Sequence, residues 1–189
     1  LADQIIDNIP IYQASKIRAI LSDSAQQQAY MAEWNQVFGH GAGIVVFRQA
    51  FDDVQIIDKV TEILSRIVEQ EQAAEADNSG SGDHFAPAGA NSRLWNAHEK
   101  LCMSAPETFA YYNANPIIAL ASRAWLGPFY QVTTQANIVH PGGKAQVAHR
   151  DYHMGFQTAE ILTEYPAHIH ALSAALTLQG AIAHSDMPI

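Results

Sequence analysis

The chain has a single cysteine, Cys102, among 189 residues. One thiol can form neither an intrachain disulfide nor a cysteine-based zinc site, so a reducing cytoplasm is the expected setting. Basic residues are also scarce. Lys and Arg total 10 against 19 Asp and Glu, the formal net charge is −9, and the cations are scattered singly. With no basic stripe to displace counterions from a phosphate backbone, no nucleic-acid partner is expected. No apolar run approaches the roughly 20 residues needed to cross a bilayer, and the start of the chain has no signal-peptide pattern, so no membrane partner is expected either. Charged residues make up only 15% of the chain while hydrophobic ones reach 48%, which argues against disorder and for one domain with a sizeable core. The stretch Gly39-His40-Gly41-Ala42-Gly43 lacks the Lys-Ser/Thr of a phosphate-binding loop and precedes a strand, so it is read as a turn.

What is present is periodicity. Ile11 to Leu21 and Ala25 to Phe38 have apolar residues near helical spacing, separated by Ser22-Asp23-Ser24, and are expected to form a covering helical layer. Ile44 to Phe47 reads as a short buried strand. Phe51 to about Gln72 carries the strongest helical period and is expected to back the core. From Ala73 to Ser92 the composition turns to Gly, Ser, Asn, Asp and Ala, the signature of a loop. Its far end, His84-Phe85 and then Asn91 to His98 with Trp95, mixes aromatics with hydrogen-bonding groups, which suits either a lid over a small-molecule pocket or an exposed loop with an anchoring Trp. Pro106 to Tyr112 reads as a short helix. Asn115-Pro116 has the form of an N-cap with Pro at the first helical position, opening a helix that stops at Gly127-Pro128 and feeds a strand from Phe129 to His140. Gln157 to Pro166 has no clear period, and His168 to Ala183 alternates with period two, as a strand would. Periodicity alone supports a mixed α/β or α+β domain with antiparallel strands.

The densest chemistry lies between Gln131 and Phe156. A strand is broken by Pro141-Gly142-Gly143, and His149-Arg150-Asp151 then places an imidazole and a carboxylate on the same side of an extended segment. That is half of a 2-His-1-carboxylate iron(II) site, which needs a second His from elsewhere and leaves positions open for cosubstrate and oxygen. Arg150 points to the opposite face. His153 has the spacing of a third ligand, but three successive same-face residues stretch too far along a strand to converge on one ion, so it is read as lining the pocket. His184-Ser185-Asp186 is a second His-x-Asp match without the preceding strand, Pro-Gly turn and Gln. His168-x-His170 lacks the Glu that a cupin metal pair requires. His149-Arg150-Asp151 also matches the kinase catalytic loop, but Phe156 stands where that loop needs a magnesium-binding Asn.

The order Gln135, Asn137, Pro141-Gly142, Gln146 and His149-x-Asp151, followed by a strand from Ala171 to Ala181, resembles the phytanoyl-CoA dioxygenase family of iron(II)/2-oxoglutarate oxygenases, over most of the chain from the Gly43 to Phe51 stretch onward. The resemblance implies a mainly β, α+β fold with N-terminal helices. Its core would be a double-stranded β-helix, or jelly roll, with residues 1–128 as the helical layer and 129–189 as the first part of that core. It implies iron(II) and 2-oxoglutarate as cofactors and hydroxylation of a small organic molecule. His149 and Asp151 would be metal ligands, and Asn137, Gln146 and Ser173 would contact the cosubstrate. Gln135, Tyr152, His153, Phe156 and Trp95 are the substrate-side candidates. The family's second His and its 2-oxoglutarate-binding Arg lie downstream of the strand that ends here. A downstream segment or a second chain is therefore expected to complete the barrel, and this chain alone is expected to be inactive. Two other classes remain open: a metal-independent small-molecule binding module on a jelly roll, and a structural protein whose His residues are incidental.

Overall fold

The computed structural model describes residues 1–75, 91–143 and 157–186. In chain order its elements are β1 (Gln4–Ile6), β2 (Ile9–Gln13), α1 (Ala14–Ala19), α2 (Ser24–His40), β3 (Val46–Arg48), α3 (Gln55–Glu75) and β4 (Asn91–Leu94). There follow α4 (Ala97–Ser104), α5 (Pro106–Asn113), α6 (Pro116–Leu126), β5 (Ala136–Val139), α7 (Ala159–Thr163) and α8 (Ala167–Ala175). Contacts divide the chain into two compact units: Leu1–Asp52, Asn115–Tyr130 and Arg150–Ile182 form one, and Asp53–Ala114, Gln131–His149 and Ala183–Ile189 the other. No helix among the described residues is long and apolar enough to cross a membrane.

In the first unit, Asp7 and Asn8 both take positive φ, at 49° and 67°, and close a two-residue hairpin with Ile6 opposite Ile9. Short polar side chains tolerate this left-handed backbone, which a two-residue hairpin turn demands. The hairpin corrects the expected helix from Ile11: Ile11, Tyr12 and Gln13 belong to β2, which pairs antiparallel with β1 and parallel with β3, and the helix begins only at Ala14. The strand expected at 44–47 is found one to two residues later and is not buried, since Val46 at its start is 38% exposed. It sits at the edge of this three-stranded sheet. Tyr12, Ile17, Trp34, Ile117 and Leu120 form the unit's core. Asp23 caps α2 by accepting from the amides of Ala25 and Gln26, at 3.0 and 3.1 Å. The Asn115 cap stands as expected, accepting from Ile117 and Ile118 at 2.9 and 3.2 Å, and α6 ends at Gly127 with φ 74°. Such a cap contributes about 1 kcal/mol.

The segment expected as a strand from His168 to Ala183 is a correction. Ala167–Ala175 is helical, and 176–186 carries no regular structure. Ala167, Ala171, Ala174 and Ala175 supply the residue that most favours helix and is depleted in strands, and Pro166 supplies an extended residue at the N-cap position. Small residues alternating with larger ones fit either period, so composition decides. The strand expected from Phe129 to His140 shrinks to Ala136–Val139, after Pro128 and a positive φ of 64° at Phe129 turn the chain. With eight helices and two small sheets, the described residues are mainly helical, not mainly β, and no closed barrel is present among them.

The second unit is built on α3, whose Ile56, Val60, Ile63 and Val68 are buried as the period requires. It packs against α4, α5 and β4. β4 pairs antiparallel with β5, and Leu94, fully buried, joins Val68 and Ala97 in a core flanked by Leu64, Ile67, Ala136 and Ile138. Asn91 and Ser92, read above as loop or lid, open a strand.

Candidate functional site

The β4–β5 register sets Asn91 opposite Val139, Ser92 opposite Ile138, Arg93 opposite Asn137 and Leu94 opposite Ala136. Successive side chains on a strand point to opposite faces, and directly paired residues share one. Leu94, Ala136 and Ile138 pack on the α3 side with Val68. Ser92 faces the same way: its Oγ accepts from Gln72 Nε2 of α3 at 2.8 Å and lies 2.6 Å from His140 Nε2. The residue that precedes the Pro141-Gly142 turn is thereby tied to both β4 and α3.

The opposite face is mostly polar, with exposed Val139 paired to Asn91. It carries Asn91, Arg93 and Asn137, with Arg93 and Asn137 directly paired across the strands. The Arg93 guanidinium lies 5.2 Å from the centre of the Trp95 ring, a cation-π contact that holds the cation beside an apolar plate. Asn137 is exposed, as is Gln135 immediately before β5, and Trp95 is half-buried. Asn91 is 7% exposed, and among the described residues neither its Oδ1 nor its Nδ2 has a hydrogen-bond partner. Leaving either atom unpaired away from water would cost about 1–3 kcal/mol.

Of the residues singled out in the sequence, Asn137 and Trp95 therefore meet at Arg93, one across the sheet and one by ring contact, with Gln135 one residue beyond β5. Ser173 stands elsewhere. It lies in α8 of the first unit, 2% exposed, as a buried helix position and not as the polar strand residue the resemblance implied. Gln146, His149, Asp151, Tyr152, His153 and Phe156 lie outside the described residues, as does His84-Phe85. Asn91 and Arg93 were not singled out, because the Gly- and Ser-rich composition running up to Ser92 hid the start of a strand. The available signal was the alternation Asn91, Arg93, Trp95 just ahead of a helical pattern.

Among the described residues no three His, Cys, Asp or Glu side chains are placed to hold a metal ion. His184, in the second His-x-Asp match, has both ring nitrogens engaged. Thr61 Oγ1 donates its only proton to the Ile57 carbonyl at 2.8 Å, so it accepts from His184 Nδ1 at 2.8 Å. Nε2 then accepts from the Tyr112 hydroxyl at 2.9 Å. Burial raises the Tyr112 phenol to about 12, keeping it a donor. Burial also holds the His184 imidazole below its ordinary 6.5, against a smaller opposing pull from Asp58. His170 is occupied as well, with Nε2 3.1 Å from the Leu162 carbonyl.

The His184 contact sets a pH dependence. In the unfolded chain His184 takes up a proton near pH 6.5, while the folded chain resists it until a lower pH, so the unfolded state binds more protons in between. Its stabilising contribution is fully present above pH 6.5 and is lost as pH falls through the lowered folded value. Urea denaturation from pH 7.5 down to pH 5 should therefore show a loss of stability that is shallower in His184→Gln. Equal slopes in the two proteins would refute the assignment.

A groove of about 450 Å³ between α3 and α4 is lined by Ile67, Gln70, Glu71, Glu99, Lys100, Met103 and Ser104. It is spanned by the Lys100–Glu71 ion pair at 2.5 Å and contains none of the residues on the polar sheet face. The convergence of Asn91, Arg93 and Asn137 outweighs its volume, because a ligand site is defined by placed polar groups as much as by space. A guanidinium and a side-chain amide are both groups able to donate N–H to a carboxylate.

Compared with known families, the family model described as Phytanoyl-CoA dioxygenase (PhyH) matches residues 39–188, more than half of the chain. No curated protein and no solved structure gives a significant match to the chain.

Proposed function

Because the chain belongs to the phytanoyl-CoA dioxygenase family, a family of oxygenases, we propose that it is a non-haem iron(II)/2-oxoglutarate-dependent dioxygenase that hydroxylates a small organic molecule. When bound, iron(II) and 2-oxoglutarate supply an oxidative decarboxylation coupled to insertion of one oxygen atom into an unactivated C–H bond. His149 and Asp151 are the proposed protein ligands, and Gln146 is a proposed cosubstrate contact. The second His and the family's 2-oxoglutarate-binding Arg would come from a downstream segment or a second chain, which would also complete the jelly roll. A single cysteine agrees with work in the cytoplasm.

The observation that carries this reading is the pairing of Arg93 with Asn137 across β4 and β5. Asn137 is the described cosubstrate candidate that lies on this sheet, and the partner facing it is a cation able to neutralise a carboxylate. Arg93 and Asn137 orient the anion. Trp95 packs against the guanidinium and limits its rotation. Gln135, Tyr152, His153 and Phe156 are assigned to the substrate side. Ser173, the remaining cosubstrate candidate, is a buried position in α8.

The test is succinate formation from 2-oxoglutarate under air. With the barrel completed by the downstream segment or second chain, we expect slow conversion without any added substrate, dependent on iron(II) and abolished by chelation. Binding of 2-oxoglutarate that is indifferent to iron, with no succinate formed, would instead place the protein among metal-independent binding modules.

A further inference from the structure

We infer that His184 is a latch that holds residues 183–186 against α3 and α5 while its ring is neutral, and that protonation of the ring releases this segment without unfolding the unit. Residues 183–186 carry no regular structure, and Ala183, Ser185 and Asp186 are exposed while His184 is half-buried. The imidazole is the part of the segment drawn into the protein. It belongs to the second unit together with Thr61 of α3 and Tyr112 of α5, with Nδ1 2.8 Å from Thr61 Oγ1 and Nε2 2.9 Å from the Tyr112 hydroxyl. Its ring also meets the Tyr112 ring edge to face, at 5.8 Å between centres.

The pattern of donors and acceptors around the ring fits the neutral form. Thr61 donates its one hydroxyl proton to the Ile57 carbonyl, so Nδ1–H donates to Thr61 and Nε2 accepts from Tyr112. A proton added at Nε2 turns that acceptor into a second donor facing the Tyr112 hydroxyl, and puts a positive charge into a half-buried site. Burial is the larger influence on the ring and disfavours the charge, while Asp58, three positions before Thr61 on α3, favours it less strongly. The charged residue of α5, Glu107, is five positions from Tyr112 and so on another part of that helix surface. Asp186 is exposed on the segment itself. Once released, the ring meets water and takes up its proton near pH 6.5. Release and protonation therefore favour each other, and the released fraction should rise by up to about tenfold for each pH unit between 6.5 and the lower value of the held ring.

The test needs neither metal nor cosubstrate. The ¹⁵N{¹H} NOE of the amides of residues 183–186 in the full chain would be followed from pH 7.5 to pH 5, alongside amide hydrogen exchange in α3 and α5. The segment should be ordered at pH 7.5 and lose order as pH falls below 6.5, with α3 and α5 still protected. His184→Gln keeps a neutral donor and acceptor and cannot titrate, so the pH dependence should disappear. Tyr112→Phe removes the hydroxyl from which the neutral ring accepts, and should move the loosening to higher pH. Order kept down to pH 5 in the unsubstituted protein would overturn the inference, and so would the same loosening with pH in His184→Gln. A midpoint that stays or falls in Tyr112→Phe would overturn it too. Loosening that comes only together with exchange of α3 and α5 would mean acid unfolding of the whole unit, and no latch.

Discussion

Asp151→Ala should abolish iron(II) binding and succinate formation, while Asp186→Ala should leave both near the levels of the unsubstituted protein. The two aspartates occupy the same place in two His-x-Asp sequences, so spacing cannot separate them. Their surroundings do. His140, at the end of β5, is held 2.6 Å from Ser92, and the chain then turns through Pro141 and Gly142, the latter at φ 81°, on its way to His149. In sequence, His149 and Asp151 follow the sheet that carries Arg93 and Asn137. His184, by contrast, is saturated: Thr61 holds Nδ1 and Tyr112 holds Nε2, and an imidazole with both nitrogens in hydrogen bonds has no lone pair to offer a metal. A facial triad has one anionic ligand, and its loss should exceed the roughly 10–100-fold seen when only a residue that orients a ligand is changed. Iron titration of the two variants decides the matter. Equal loss of metal in both, or loss only in Asp186→Ala, would move the site to the other motif.

The features legible in the sequence were those that local chemistry decides. The apolar period of α3, the Asn115 cap and the stop at Gly127 each depend on residues within a turn of one another, and each appears where the pattern put it. Features decided by competition between equally good local patterns were not legible. Alternating Ala with Ile, His and Leu after Pro166 satisfies a strand by period and a helix by propensity, and helix propensity prevailed in α8. The β1–β2 hairpin was missed because its signal is a two-residue turn, Asp7-Asn8, outside any periodic run. At the site, Asn137 could be found through its place in an ordered motif. Arg93 and Asn91 could not, because their relevance comes from pairing with a strand some 45 residues later, and no local pattern reports a register.

That register is also the weakest part of the unit, and Leu94→Ala should expose it with a loss of about 2–5 kcal/mol. β4 and β5 are four residues each, and a two-stranded ribbon of that size is at best marginally stable in water. Packing on α3 holds it. Leu94 is fully buried and, with Val68 and the flanking Leu64, Ile67, Ala136 and Ile138, is the main apolar link between sheet and helix. Truncating it removes that link and leaves a cavity that the short strands cannot close. A slip of one residue would move Arg93 and Asn137 to opposite faces, because the side-chain period is two. The loss should therefore reach 2-oxoglutarate binding as well as stability, although Leu94 faces away from the ligand side. Leu94→Met keeps most of the volume and should cost less than about 1.5 kcal/mol, with cosubstrate binding retained. Urea denaturation together with amide hydrogen exchange of Ser92 to Leu94 and Ala136 to Val139 measures both effects. Exchange that speeds at these amides in Leu94→Ala and not in Leu94→Met is the expected result. Unchanged exchange in both would show that the sheet is held by the Gln72–Ser92–His140 hydrogen bonds and not by its apolar face.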